Sequence, residues 1–592
     1  MKHDEQHSIQ DLIQIAHSFY AQGRLGEAVG VLDIALQARP DDADLWNDRG
    51  IMLRALRRFD EALQSYDQAI LLSPGHSEAH YNKAAALELL GRWAEALTSY
   101  DRAIGARPNF AEAWNNRGSA LMTLGRRSDG LSSYDRAIAH CPNYAEAHGN
   151  RAAALTSLGR YSEALESVGA AINLKPNVAE FHDHRGTALA SLHQYEEALH
   201  SYDRAIALRP GFASAYSNRA SVLLNLKRPW DAIASCDKAL AITSGSAEAC
   251  NNRGAALFEL GSFAEAFASF ERATMLKPDY PSAWANRGML LLLAGRAAEG
   301  WACWRERERL VRRKVPYTTA KPWVCGEDIT GKTLFIEAVD GFGDAIQFCR
   351  RIPDLEAQRA KIACALPAAL LTVLKDISPT AQFVEATTSF AEADRHVSLY
   401  NLAEGFPPDL ARPETPYLKA DADRAQKWKK HIGEKGFKVG ICWQGSLADG
   451  SRSFPLGQFQ PFGDIPGVRF ISLQKEVPQK QLADFPANLH LERLGDSFDA
   501  GPDAFLDTAA VMENLDLIIA PDTAIAHLAG ALGRPVWVAL KYVPDWRWSL
   551  DRSDTPWYPT MCLFRQQSYG DWSAPFAQMA QQLAKVARSV SS

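Results

Sequence analysis

The first half of the chain repeats itself every 34 residues, and this period constrains the fold more than any other feature. Two series of residues keep the spacing. One is Trp46, His80, Trp114, His148, His182, Tyr216, Cys250 and Trp284, and the other is Pro40, Pro74, Pro108, Pro142, Pro176, Pro210 and Pro278, which misses a step only at Ser244. In the unit "AEAWNNRGSALMTLGRRSDGLSSYDRAIAHCPNY", small and aromatic residues recur at helical spacing, Gly125 interrupts the pattern and Pro142 ends it. The period therefore predicts an all-α array of helix-turn-helix units that share a core by stacking.

This W…G…Y…A…P-like pattern resembles the tetratricopeptide repeat over roughly residues 9–314, in about nine units. The resemblance implies a superhelix whose concave groove binds protein partners. We predict a first domain over residues 9–314. Its last unit decays into "GRAAEGWACWRERERLVRRK", which carries Trp301 and Trp304 and ends in a run of charges. This segment is interpreted as a terminal cap and linker.

A polar position follows each aromatic or His position by two residues. Six of its eight occurrences form what we call the asparagine ladder: Asn82, Asn116, Asn150, Asn218, Asn252 and Asn286. The other two occurrences are Asp48 and His184. Carboxamides donate to and accept from a peptide backbone, so the ladder would bind an extended polypeptide whatever its side chains. The alternative is a series of bonds between repeats that only fixes helix stacking. O-linked N-acetylglucosamine transferases are similar here, which implies a polypeptide acceptor.

A basic residue directly follows each of these polar positions. The series is Arg49, Lys83, Arg117, Arg151, Arg185, Arg219, Arg253 and Arg287. Ion pairs with acidic residues of a neighbouring repeat are the favoured interpretation, because such pairs are ordinary on exposed helix surfaces.

Composition limits the partners and the compartment. A formal charge of −6 and a pI near 6.2 give no basic footprint for nucleic acid. The nine cysteines show neither a CxxC pair nor zinc spacing, which favours reduced thiols in the cytoplasm. The start lacks an export signal, and no window reaches about 18 uncharged apolar residues, so we expect no membrane span.

From about Thr333 the period stops, and short apolar runs alternate with helical stretches, which predicts parallel sheets with crossover helices. The predicted strands are "TLFIEAV", "KIACAL", "QFVEA", "KVGICW", "VRFISL", "LDLIIA" and "PVWVAL". A charged helical bridge, "TPYLKADADRAQKWKKHIGEKG", separates the first three from the rest. We therefore predict two Rossmann-like lobes, residues 315–430 with the preceding linker and residues 431–592. Ligands of such sheets lie at the carboxyl ends of strands.

Three loops follow predicted strands and carry the candidate site residues. The first, "EAVDGFGDAIQFCRR", has Gly341 and Gly343 but lacks the third glycine of a dinucleotide fingerprint. Its Asp344 would either cap the next helix or face the cleft as a base. The second loop, "QGSLADGSRSFPL", is rich in Gly and Ser and carries one cation, Arg452. Either a phosphate cradle or an ordinary loop fits this composition.

The third loop begins the helix of "IIAPDTAIAHLAGALGRPVWVAL". Asp522 and Thr523 stand where free backbone N–H groups and the positive end of the helix favour an anion such as a diphosphate. The alternative is plain N-capping by either residue, with His527 a hydrogen-bonded helix residue one turn on. A further segment, Trp546 to Trp548, is more typical of a core than of a cleft wall. It stays outside the predicted site.

Together, "GFGD", "SRS" and "DLIIAPDTAIAHLAGALGRPVWVAL" resemble the ADP-heptose:lipopolysaccharide heptosyltransferase family, which has the GT-B fold. The segment "PDWRWSLDRSDTPWYPTMCLFRQQSYGDW" is similar to bacterial tetratricopeptide-repeat proteins that end in such a domain. The resemblance covers about residues 325–575 and implies that Asp344 is the general base, with Asp340 and Glu337 as rival carboxylates. It implies contacts to the donor diphosphate from Arg452, Asp522, Thr523, Ala524 and His527.

These observations favour an inverting, metal-independent glycosyltransferase that uses a nucleotide sugar as co-substrate, needs no other cofactor, and modifies a hydroxyl of a protein held by the repeats. Because some bacterial proteins of this type modify flagellins, the resemblance implies flagellin as a candidate acceptor. Two alternatives stay open. The chain would be a non-catalytic scaffold with a degenerate transferase domain, or it would modify a glycolipid.

Overall fold

The structure is a computed structural model that describes residues 2–311, 318–338, 341–386, 388, 390–405, 415–445, 452–475, 479–501 and 505–591. It divides into two compact units, Met1–Asn252 and Arg253–Ser592. Helices of the repeat array occur in both units, and the parallel sheets belong to the second.

The array consists of paired helices, one pair for each repeat. The helices are α1 Lys2–Ala21, α2 Leu25–Ala38, α3 Ala43–Ala55, α4 Phe59–Leu72, α5 Ser77–Leu89, α6 Trp93–Ala106, α7 Ala111–Thr123, α8 Arg127–His140, α9 Ala145–Ser157, α10 Tyr161–Leu174, α11 Ala179–Ser191, α12 Tyr195–Leu208, α13 Ala213–Asn225, α14 Pro229–Ile242, α15 Ala247–Glu259, α16 Phe263–Leu276, α17 Pro281–Leu293 and α18 Ala297–Leu310. The break predicted at Gly125 is confirmed: this residue lies between α7 and α8 with φ of +76°. Small residues let the two helices of a pair approach, since a Cβ on Gly118 would lie 2.6 Å from Cε1 of Tyr134.

One hydrogen bond joins the two periodic series of the sequence. The indole Nε1 of Trp46 donates to the carbonyl oxygen of Pro40 (2.9 Å), and that of Trp114 donates to Pro108 (2.8 Å). The same contact, from Nε2 to the carbonyl oxygen six residues earlier, is made by His80, His148 and His182. A carbonyl only accepts, so these imidazoles carry a proton on Nε2. The bond ties the turn that enters a repeat to the first helix of that repeat.

Two parallel sheets follow the array. Their strands are β1 Lys321–Pro322, β2 Thr333–Glu337, β3 Lys361–Leu366, β4 Gln382–Glu385, β5 Arg395–Ser398, β6 Phe437–Ile441, β7 Val468–Ser472, β8 Leu491–Glu492, β9 Leu517–Pro521, β10 Val536–Leu540 and β11 Met561–Arg565. The helices of this region are α19 Phe342–Phe348, α20 Ile352–Ala357, α21 Ala368–Leu374, α22 Leu402–Gly405, α23 Ala422–Ile432, α24 Gln479–Leu482, α25 Leu506–Met512, α26 Ala524–Ala531 and α27 Ser573–Ser591. The predicted parallel sheets are thus confirmed. Strands β1, β5, β8 and β11 are additional to the seven predicted.

Strand order fixes where ligands can bind. The first sheet has the order β1-β5-β2-β3-β4 and the second has the order β11-β10-β9-β6-β7-β8. The winding direction reverses between β2 and β5 in the first sheet and between β6 and β9 in the second. In doubly wound sheets, ligand crevices open at the carboxyl ends of such strand pairs.

The last repeat helix packs on the first sheet's side of the α/β region. In α18, the ring of Trp304 stacks on Tyr400 with centroids 4.6 Å apart, and Trp301 meets the same ring edge-on at 5.6 Å. Both tryptophans are buried. The equivalent positions of earlier repeats hold residues such as Leu63 and Tyr66, so the two tryptophans enlarge ordinary core positions and pack the end of the array against Tyr400.

Candidate functional site

A cavity of about 680 Å³ lies at both reversal points, where the loops after β2, β6 and β9 meet. All the catalytic and donor-binding residues predicted from the sequence line it, namely Asp344, Arg452, Asp522, Thr523, Ala524 and His527. They come from three segments separated by many residues, and the topology of the two sheets brings them together. We call this space the switch-point cavity.

Asp344 is the third residue of α19, and its carboxylate accepts hydrogen bonds from two donors. Its Oδ2 accepts from the backbone N–H of Gly341 at 3.1 Å, and its Oδ1 accepts from Nη2 of Arg547. The capping bond agrees with one of the two roles predicted for this residue. The side chain remains 23% exposed, so the carboxylate also faces the cavity. A carboxylate has about four lone-pair positions, which leaves acceptor capacity for a further donor.

The rival carboxylate Glu337 lies elsewhere. It ends β2 and lines a separate cavity of about 460 Å³, where its Oε1 is 3.4 Å from Nδ1 of His396. Asp340, the other rival, lies outside the described residues. Of the two carboxylates that the structure describes, only Asp344 shares a cavity with the predicted donor-binding residues.

The first turn of α26 presents free backbone amides to the switch-point cavity. Thr523 stands at the N-cap position, yet neither it nor Asp522 makes a side-chain capping bond to the helix. The Thr523 hydroxyl donates instead to the carbonyl oxygen of Pro521 at 3.3 Å. The alternative of a capping side chain at Thr523 is therefore wrong, whereas the hydrogen-bonded His527 that the same alternative predicted is present. The unsatisfied N–H groups and the positive helix end make this turn a favourable place for an anion.

Asp522 is a partly buried carboxyl near two cations. Its Oδ2 lies 4.0 Å from Nη1 of Arg452, whose own side chain is 47% exposed. Burial and the neighbouring Asp545 carboxylate raise the pKa of Asp522, while the charges of Arg452 and Arg547 oppose that rise. The carboxyl is thus able to hold a proton at higher pH than an exposed aspartate, which reduces its repulsion of a bound anion.

His527 is fixed on three sides. Its Nδ1 is 3.0 Å from the hydroxyl of Tyr558, its ring stacks on Trp548 with centroids 5.4 Å apart, and its Nε2 lies 3.8 Å from Oδ1 of Asp522. Burial, with the charge of Arg547, lowers the pKa of His527 well below its ordinary value. The imidazole is therefore neutral at physiological pH.

The second glycine of the "GFG" segment is required by His527. A Cβ built on Gly343 would lie 2.7 Å from Cδ2 of that ring, closer than real Cβ atoms approach. Gly341, by contrast, has an ordinary φ of −71°, and its Cβ would meet only Asp344 Oδ2, at 3.6 Å. The motif thus lets the first lobe pack on the second at the cavity wall.

Arg547 also lines the switch-point cavity, although its segment was weighed as a cleft wall and left outside the predicted site. The interpretation of its segment as core is correct for Trp546 and Trp548, which are buried. That interpretation gave no role to the guanidinium between them. The only available signal was a charged residue between two tryptophans shortly after a predicted strand.

The asparagine ladder makes bonds between repeats in the first unit. Nδ2 of the ladder residue donates to the residue 35 positions earlier: Asn82 to Asn47 Oδ1 (3.0 Å), Asn116 to Tyr81 Oη (3.1 Å), Asn150 to Asn115 Oδ1 (2.9 Å), Asn218 to Asp183 Oδ1 (3.1 Å) and Asn252 to Ser217 O (3.1 Å). The stacking role left open by the sequence is therefore present. Asn286 lies at the equivalent place in α17 and is half-buried.

The basic series makes the expected ion pairs. In three pairs, Nε of an arginine lies 2.7 Å from Oδ1 of an aspartate 16 residues earlier in the chain. The pairs are Arg49 with Asp33, Arg117 with Asp101, and Arg219 with Asp203. In Arg49, Nη1 also donates to Oγ of Ser65 in the next helix at 2.8 Å. Each such arginine links the preceding repeat to both helices of its own.

Two searches of the described residues found nothing. Nowhere in the described part of the chain do three or more His, Cys, Asp or Glu side chains gather as a metal ion would require. None of the described helices has the length and apolar stretch needed to cross a bilayer.

Similar proteins were found for part of the chain. Protein FlbA of Caulobacter vibrioides is 28% identical over 295 residues, which cover 45% of this chain and 48% of FlbA, so the chain spans about half the length of that relative. The structure of YrrB, a TPR protein with an unusual peptide-binding site, is 23% identical and covers 31% of this chain and 95% of its own, with a TM-score of 0.28. A tetratricopeptide repeat protein from Parabacteroides merdae is 16% identical and covers 51% of this chain and 99% of its own, with a TM-score of 0.33.

The repeats themselves match a known family. Residues 13–75, 53–111, 115–179 and 185–247 match the tetratricopeptide repeat, and residues 247–280 match a second description of the same repeat. The chain up to residue 280 is therefore an array of tetratricopeptide repeats.

Proposed function

We propose that this chain is an inverting glycosyltransferase of GT-B architecture that transfers a sugar from a nucleotide-sugar donor to a hydroxyl of a protein. The observation that carries the proposal is the switch-point cavity. The carboxylate of Asp344, the exposed guanidinium of Arg452 and the uncapped start of α26 come together there. Its volume of about 680 Å³ is within the range of ligand pockets. The resemblance of the sequence to heptosyltransferases supports the same chemistry.

Asp344 is the proposed base. The acceptor hydroxyl gives its proton to the Asp344 carboxylate, and the hydroxyl oxygen attacks the anomeric carbon of the donor sugar. The bond from that carbon to the donor phosphate breaks on the opposite face, and the nucleotide leaves with the electron pair. The configuration at the anomeric carbon is inverted because attack and departure occur on opposite faces.

The charge of the leaving nucleotide is met by the second lobe. The backbone amides at Thr523 and Ala524 and the guanidinium of Arg452 face the same cavity, and such fixed donors stabilise negative charge as it develops. The neutral His527 contributes a hydrogen bond without adding charge. A second cavity of about 320 Å³ shares Gln474 and Lys475 with the first, and it gives room for the remainder of the donor.

The repeats are the proposed binding site for the acceptor polypeptide. In Asn82, Asn150 and Asn218 the bond between repeats uses Nδ2, so Oδ1 is the atom that would accept from a peptide N–H. In Asn116, Oδ1 already accepts from Asn115 Nδ2 at 3.1 Å. We therefore expect the ladder to bind peptide as a row of acceptors rather than as two-way carboxamides. Flagellin is the candidate acceptor that the sequence resemblance implies.

A thermal-shift panel tests the donor site. Purified protein is melted with UDP, ADP, GDP and CMP and with the sugar conjugates of each. We expect one nucleotide sugar to raise Tm, and we expect Asp522→Ala to abolish that rise while Asp551→Ala, at an exposed position in the same unit, retains it. Folded protein that responds to no compound would favour the scaffold hypothesis instead.

A further inference from the structure

Arg547 is a buried cation with three separate acceptors. Its Nε donates to Oε1 of Gln347 at 2.7 Å, its Nη1 donates to Oδ1 of Asp545 at 2.7 Å, and its Nη2 donates to Oδ1 of Asp344. Gln347 and Asp344 both belong to α19, whereas Arg547 follows β10 of the other sheet. One planar guanidinium thus joins the two lobes at the wall of the switch-point cavity.

The guanidinium has little freedom to move. Its side chain is 7% exposed, and its Cζ lies 5.1 to 5.3 Å from the ring centroids of Trp546, Tyr400 and Phe348. A guanidinium fork presents its donors in fixed directions, which a lysine ammonium does not. Whatever accepts from Arg547 is therefore oriented by it.

We propose that Arg547 is a positioning residue that orients the Asp344 carboxylate for proton abstraction, an inference that rests on the proposed function. With Gly341 N–H on Oδ2 and Arg547 on Oδ1, rotation of the carboxylate is restricted, and its remaining lone pairs face the cavity. The cluster of Asp344, Arg547 and Asp545 carries one excess negative charge. When Asp344 has taken the proton, Arg547 and Asp545 remain as a neutral pair, so no buried charge is left without a partner.

Other charged and titratable groups surround this pair. Among the described residues they include Asp545, Asp522, Tyr400, Tyr558, His527, Arg350 and Arg452. Although burial opposes its charge, the Asp545 and Asp344 carboxylates raise the pKa of Arg547 well above its ordinary value. Asp545 also accepts directly from Arg547, but it does not line the switch-point cavity, so Asp344 is the carboxylate of this pair that can take a proton from a bound acceptor.

The test compares Arg547→Lys, Arg547→Gln, Asp344→Asn and the double variant Asp344→Asn/Arg547→Gln. Turnover is measured as nucleotide released from the nucleotide sugar that stabilises the protein most, with water as acceptor. We expect Arg547→Lys to lower kcat about 10-fold with donor KM within about 3-fold, since positioning acts on the reaction step. In Arg547→Gln, which removes the cation, we expect a larger fall in kcat than in Arg547→Lys, with donor KM again within about 3-fold.

The double variant separates positioning from general damage. If Arg547 acts through Asp344, Asp344→Asn/Arg547→Gln should be no slower than Asp344→Asn alone. Multiplied losses, or wild-type kcat in Arg547→Lys, would overturn the inference, and Arg547→Lys alone decides if Arg547→Gln fails to fold. Normal turnover in Asp344→Asn is a different result, because it removes the proposed base itself.

Discussion

In the repeat array, the partner of a polar side chain lies at a constant distance along the chain: 35 residues for Asn82 and Asn47, and 16 residues for Arg49 and Asp33. In the α/β region, Asp344 meets Arg547 across 203 residues, and Arg350 meets the carbonyl oxygen of Trp557 across 207. A stacked array reproduces each contact at the next repeat, so its polar groups stabilise locally. A doubly wound sheet collects unrelated segments at one edge, so its polar groups can form a single site.

The largest effect we expect is on turnover at the switch-point cavity. Asp344→Asn removes the proposed base and should lower kcat for nucleotide release about 10² to 10⁴-fold, with the nucleotide-induced rise in Tm unchanged. Asp376→Asn, at an exposed position of the first lobe, is the matched control and should behave as wild type. Near-normal turnover in Asp344→Asn would place the chemistry on another group.

The next effect tests how closely the two lobes pack. Gly343→Ala puts a methyl group 2.7 Å from the His527 ring, which is held by Tyr558 and Trp548, so we expect a loss of about 1 to 3 kcal/mol in unfolding free energy and weaker nucleotide binding. Gly341→Ala is the control from the same motif, because its methyl group meets no atom closer than 3.6 Å. Denaturant unfolding and nucleotide titration measure both. Equal behaviour of the two variants would mean that the lobes separate readily.

The two regions differ in how much of their structure can be predicted from the sequence. Strands such as β3 and β9 are apolar runs bounded by turn residues, and they were predicted. Strand β5, "RHVS", is short and polar, and its strand conformation comes from pairing with β2, which no local pattern encodes. Because ligands of parallel sheets bind at the carboxyl ends of strands, the residues directly after predicted strands were assigned to the site. Arg547 is not directly after a strand, and its contact with Asp344 depends on how two lobes meet.

A smaller effect is expected on the stability of the array, because many equivalent hydrogen bonds contribute to it. Asn82→Ala removes the bond to the buried Asn47 and should lower the stability of the array by about 1 kcal/mol. Asn225→Ala makes the same change of residue type at an exposed site whose bond is to Ser221 O within its own helix, and it should change stability less. Equal unfolding midpoints for Asn82→Ala and wild type would assign the ladder to peptide binding alone.

The last effect appears only over part of the pH range and concerns Glu88, a half-buried residue of α5. Burial raises the pKa of Glu88 from 4.5 to about 7. A carboxyl whose pKa is higher in the folded state destabilises the fold increasingly as pH rises from 4.5 through 7. Glu88→Gln should therefore stabilise the array by about 1 kcal/mol above pH 7, allowing for water around this half-buried group, and should have little effect near pH 4.5. The exposed Glu112→Gln is the control, and a pH-independent gain would contradict this account.

The bond between the aromatic series and the proline carbonyls has a consequence for how such arrays tolerate change. His80 and Trp114 differ in size and polarity, yet in adjacent repeats each supplies one ring N–H to the carbonyl six residues earlier. Where the position holds His or Trp, it supplies one ring N–H at a fixed reach, so imidazole and indole can replace each other there. Tyr216 and Cys250 hold the same position and have no ring N–H. A protein engineer who reorders these repeats could therefore exchange His and Trp at this position without losing the bond, and would find two natural repeats that do without it.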